Sequence, residues 1–141
     1  MKRITSILFF ATTLACFSQQ NTAEEKIKKY LIGSWEHILS IEPSGEEEVF
    51  QRDLELFADG TGTCTRYTAK DTAHLTFEWT VKDSTIYLSV FDGKGVKRTT
   101  DKQYITWMGS RMLELHEQFD TGEYGKRCAY RRKLDAAVAQ Y

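Results

Sequence analysis

Three histidines and two downstream cysteines, Cys64 and Cys128, are the side chains in this sequence with the most reactive chemistry. His37, His74 and His116 lie on three separate segments, without the short spacings by which a chain wraps a metal. His116-Glu117 begins like a zinc-hydrolase motif, but it falls on a predicted strand, where adjacent side chains point to opposite faces. There is no Gly-x-Ser-x-Gly elbow, no phosphate-binding glycine loop and no His-Glu-x-x-His. The expectation is therefore a protein that is not an enzyme, with no metal and no cofactor. An isomerase or a haem-dependent barrel is the enzymatic alternative.

Aromatic residues carry more of the signal. Phe50, Phe57, Tyr67, Phe77, Trp79, Tyr87, Phe91, Tyr104, Trp107 and Tyr130 are spread over many short segments. Turned toward a common interior, such side chains either fill it or line a cavity for a small apolar molecule. In the second case Phe77 and Trp79 form walls, and Arg66, Tyr67, Tyr87 and Tyr104 supply polar groups. A fatty acid, a sterol-like molecule or an aromatic compound would suit such a lining. Two charged runs are simpler. Glu46-Glu47-Glu48 reads as a solvated loop, or as an attractor of a cation or basic partner. Lys126-Arg127 and Arg131-Arg132-Lys133 make the last segment basic, able to grip a carboxylate head group or an acidic partner.

The elements that position these residues are short and alternate with period two. Leu75-Thr76-Phe77-Glu78-Trp79-Thr80-Val81 is the clearest, a strand with one face buried and one solvated. The full set is Trp35–Ile41, Val49–Phe57, Gly62–Ala69, Ala73–Val81, Thr85–Phe91, Val96–Met108, Met112–Phe119 and Tyr124–Leu134. Ser44-Gly45, Asp59-Gly60, Lys82-Asp83-Ser84, Asp92-Gly93, Gly109-Ser110 and Thr121-Gly122 separate them with turn-forming residues. Before them, Thr22-Ala23-Glu24-Glu25 reads as a capping box opening a two-turn helix that Gly33 stops. About eight strands on short connections imply an all-β, antiparallel up-and-down barrel, because closure removes both exposed edges.

The first 18 residues are set apart. Lys2 and Arg3 precede the mostly apolar run from Ile4 to Phe17 and then small residues, the layout of a secretory signal peptide. An N-terminal anchor helix is the alternative, against which the run is short. Cleavage before Gln19 leaves residues 19–141 as one barrel domain. Thr13-Leu14-Ala15-Cys16 alternatively resembles a lipoprotein box, with Cys16 lipidated and the protein membrane-anchored through it. Losing Lys2 and Arg3 lowers the net charge of −1 by two. A mildly acidic domain gives nucleic acid no electrostatic footprint. In a periplasmic or secreted setting Cys64 and Cys128 are either one disulfide, closing a loop of about 64 residues, or two separate buried thiols. One proline and nine glycines argue against disorder, and a monomer is expected.

Gly33-Ser34-Trp35, directly after the short helix and opening the first strand, occupies the place of the Gly-x-Trp motif of lipocalins. With Leu54-Glu55-Leu56-Phe57-Ala58-Asp59-Gly60-Thr61, Phe77-Glu78-Trp79, Tyr104-Ile105-Thr106, Leu113-Glu114-Leu115 and Tyr130-Arg131-Arg132, the chain from Tyr30 to Lys133 resembles the small lipocalin-like domains of bacterial secreted proteins. The resemblance implies that Trp35 packs across the closed barrel end and that an arginine of the last strand, Arg131 or Arg132, lies over its ring. It departs from full-size lipocalins in its length, in lacking a second loop motif, and in its weak helical tail, Asp135–Ala139. The function it implies is binding of a small apolar ligand in the barrel interior. A periplasmic protein-interaction module, such as a lysozyme or protease inhibitor working through loops around Glu46–Glu48 or Asp92–Gly95, is the alternative.

Overall fold

The computed structural model describes residues 22–45, 51–91 and 94–134. The signal segment with Cys16, the acidic run Glu46–Glu48, Phe50, Asp92-Gly93 and the tail Asp135–Ala139 lie outside the described residues. Helix α1 spans residues 22–31. Eight strands follow: β1 (Gly33–Ile41), β2 (Gln51–Leu56), β3 (Thr61–Tyr67), β4 (Thr72–Lys82), β5 (Thr85–Phe91), β6 (Lys97–Met108), β7 (Met112–Gln118) and β8 (Tyr124–Arg132). Each strand pairs antiparallel with the next, and β1 pairs with β8, so the sheet closes. The closed up-and-down barrel expected from the alternation is the fold, with strand ends displaced by at most two residues. No described helix is long and apolar enough to cross a membrane.

Local chemistry sets the turns. Between β4 and β5, Asp83 and Ser84 both take positive φ, 50° and 58°, the two-residue geometry whose twist matches that of the flanking strands. Between β2 and β3, Gly60 has φ 88°, and the Asp59 carboxylate accepts hydrogen bonds from the Thr61 amide at 2.9 Å and hydroxyl at 2.6 Å. Those bonds hold the Asp59 pKa below its usual value.

Packing divides the interior into a dense floor and a looser upper part. Leu31 of α1, Trp35, Leu56, Trp79, Ile86 and Leu113 are almost wholly buried and form the floor. Gly62 belongs to this packing: a Cβ there would collide with the Phe77 ring and come within 2.7 Å of the Glu55 carbonyl. Only glycine lets the ring lie so close to the backbone.

The ladder is interrupted at His37/Leu39, Val90/Phe91, Ile105/Trp107 and His116/Gln118. A bulge resets which face the following residues occupy. On β1 it leaves Ile38 exposed and brings both His37 and Ser40 into the buried interior, although residues three apart on a regular strand face opposite sides.

Candidate functional site

α1 closes one end of the barrel, and the floor is built around Trp35. Its indole N–H donates to the Leu31 carbonyl at 2.9 Å, and its ring lies 5.7 Å from that of Tyr30. The choice between the two arginines is settled: the Arg132 guanidinium lies 4.2 Å over the Trp35 ring and 5.1 Å from the Tyr30 ring. It also donates to the carbonyls of Ile32, at 2.9 Å, and Tyr30. Arg131 faces outward and pairs with Glu36 at 2.7 Å. Gly33 is required beneath this stack, since its φ is 129° and a Cβ would meet Arg132 Nη1 at 2.9 Å.

Above the floor lies a cavity of about 120 Å³. Its lower wall is apolar, with Leu54, Phe77, Leu88, Leu115 and Tyr130 among its residues. Its mouth is charged: Arg52 and Arg66 on β2 and β3, Asp101 and Gln103 on β6, Glu117 on β7 and Lys126 on β8. The volume is comparable to the ~150 Å³ of an engineered apolar cavity that takes one benzene. Burial, and then the neighbouring Glu117, raise the Asp101 pKa, while Arg52 opposes the shift. Lys126 is also drawn to Glu42 of the loop after β1, at 3.6 Å.

Of the six residues expected to contact a ligand, the structure brings only Arg66 and Phe77 to the cavity. Trp79 is a floor residue whose indole N–H is shared between the carbonyls of Phe57 and Thr61, at 3.2 and 2.9 Å. Tyr67, Tyr87 and Tyr104 correct the expectation more fully, because all three face outward. Tyr67 sits next to Arg66, and Tyr87 lies between Ile86 and Leu88, so their neighbours take the inner face. Tyr104 follows Gln103 and meets the exposed Tyr124, whose ring stacks on His116 at 4.6 Å. Arg52, Asp101, Gln103 and Glu117 carry no sequence signal, because alternation on a strand assigns polar residues to solvent; Lys126, part of the basic last segment, does reach the cavity.

Cys64 and Cys128 both line the cavity and are free thiols. The disulfide is excluded by topology: β3 and β8 are separated by β1 and β2. Three inter-strand steps of about 4.8 Å come to about 14 Å along the sheet, beyond the Cα span of about 7 Å that a disulfide bridges. Burial pushes the Cys64 thiol pKa up. Cys128 instead joins a buried polar chain. His37 Nε2 and Ser40 Oγ are 2.6 Å apart, and Ser40 Oγ is 3.2 Å from Cys128 Sγ. Tyr130 lies edge-on to the His37 ring at 5.5 Å, and burial holds its hydroxyl pKa well above the usual value. The chain satisfies polar groups that would be costly to bury alone. Among the described residues, no group of three or more histidine, cysteine and acidic side chains could hold a metal ion.

The sequence matches no protein-family model and no curated protein; solved structures do match. A lipocalin-like protein from Bacteroides uniformis superposes with a TM-score of 0.57 at 13% identity, covering 74% of this chain and 99% of that one. An uncharacterized protein from Bacteroides eggerthii gives 0.51 at 10% identity, over 72% and 98% of the two chains. A de novo designed fluorescence-activating β-barrel gives 0.51 at 12% identity, over 75% and 96%. At such identities the likeness concerns architecture, and it agrees with the closed strand order: the chain has the lipocalin-like fold.

Proposed function

We propose that this is an exported, non-catalytic binding protein that holds a small amphipathic molecule inside its barrel. The observation that carries this is the cavity itself, stopped by a packed floor, walled by apolar side chains and opening through a charged mouth. An occupant of about one aromatic ring, or a short acyl chain, matches the volume. Burying roughly 150 Å² of apolar ligand surface contributes about 4 kcal/mol before ordering costs. That alone corresponds to a Kd of about 1 mM, so useful affinity requires polar contacts at the mouth as well.

Isothermal titration calorimetry with 3-phenylpropionate, 3-phenylpropanamide and 3-phenylpropylamine tests the proposal. At least one of these is expected to bind, and Leu88→Trp, which fills the cavity, is expected to weaken that binding at least tenfold. Ile38→Ala on the outer face should leave it unchanged. Absence of binding by all three, or binding indifferent to Leu88→Trp, would overturn the proposal.

A further inference from the structure

The cavity mouth is electrically divided. Arg52 and Arg66 are direct partners in the β2–β3 ladder, and both line the cavity. They stand one pleat above Leu54 and Cys64, which are partners on the same inner face. Like charges directly opposite one another across a ladder are destabilising. The outer face of the barrel, where water would screen them, is the cheaper place for such a pair. Here Arg52, half-buried, and Arg66, exposed at the rim, are both turned toward the cavity mouth.

The carboxylates of the mouth sit on the opposite wall. In the closed strand order, β6 and β7 lie across the barrel from β2 and β3. Glu117 is turned toward β8, where its Oε2 accepts the Lys126 amide at 3.3 Å and rests where a Cβ on Gly125 would otherwise lie. Asp101 has the raised pKa already described, which opposes its carrying charge. Among the described residues the Arg66 guanidinium has no carboxylate partner. Two guanidinium groups side by side present several N–H donors in planar forks, the geometry that grips a carboxylate through charge-assisted hydrogen bonds.

We infer that the occupant of the cavity is an organic anion, a compact carboxylate whose head group lies between Arg52 and Arg66 and whose apolar body points down toward Phe77. This rests on the cavity reading of the preceding subsection and adds the charge of the ligand. An anion between the two guanidinium groups is attracted to both.

The test compares matched probes on the full-length protein. By calorimetry at low salt and pH 7, 3-phenylpropionate is expected to bind at least tenfold more tightly than the isosteric 3-phenylpropanamide. The amine 3-phenylpropylamine is expected to bind more weakly than the amide. Arg66→Gln, at the solvent-exposed rim, should weaken the carboxylate at least tenfold and the amide by a much smaller factor. Arg52→Gln should do the same. An amide that binds as tightly as the carboxylate, or an Arg66→Gln variant that weakens both equally, overturns the anion assignment while leaving the cavity proposal standing. Failure of every probe overturns both.

Discussion

Replacing Trp35 by alanine is expected to destabilise the protein by about 4 kcal/mol, the usual cost of emptying a buried tryptophan site. The indole has no exposed surface. It is held from above by Arg132, from the side by Tyr30 and through its N–H by Leu31. Little around it can collapse into the space, because its neighbours belong to α1 and to a closed ladder. Such a loss is a large share of the 5–15 kcal/mol by which small domains are stable. Chemical denaturation with urea measures it. Trp107→Ala is the control, since Trp107 is 61% exposed on β6, and its replacement should cost under about 1 kcal/mol. Equal costs for the two tryptophans would show that the floor does not carry the fold.

Arg132→Ala is expected to cost about 3 kcal/mol, and Arg131→Ala less than about 1 kcal/mol, although the two residues are adjacent. Arg132 donates to the carbonyls of Tyr30 and Ile32, in the last turn of α1 and just beyond it, where helical carbonyls have no partner of their own. A positive charge there also complements the helix dipole. Hydrogen bonds to a charged donor contribute about 1.5–3 kcal/mol each, and stacking on Trp35 adds about 0.5–2 kcal/mol. The exposed Arg131–Glu36 pair is of the kind that contributes little. Urea midpoints give the two costs, and hydrogen exchange over residues 22–31 should rise only in the Arg132 variant. A larger cost at Arg131 would reverse the assignment of the floor.

Much of the architecture was legible because the physics behind it is local. Leu75 to Val81 alternates strictly, Asp83-Ser84 and Asp59-Gly60 are turn chemistry, and Gly33-Ser34-Trp35 marks the closed end. The cavity was less legible for a specific reason. Alternation locates a strand but names its inner face only by hydrophobicity, and the upper half of this barrel inverts the rule. On β6 the inner residues are Asp101 and Gln103, while Tyr104 is outside. On β3, Thr61-Gly62-Thr63-Cys64-Thr65 carries almost no hydrophobic contrast. One constraint was available there: Arg66 and Tyr67 are consecutive and cannot share a face. Bulges hid the rest, since the one beside Ile38 places both His37 and Ser40 inside, which no regular pattern anticipates. The pairing of Cys64 and Cys128 depended on the distance between β3 and β8, a property of closure rather than of either strand.

The site of binding can be observed directly by methyl-resolved NMR of the protein titrated with 3-phenylpropionate. Occupation of the interior is expected to shift the methyl signals of Leu54, Leu88, Val90 and Leu115, which line the cavity, and to leave those of the exposed Ile38 and Leu134 in place. Shifts confined to the outer methyls, with the four interior residues silent at saturation, would contradict an internal binding site.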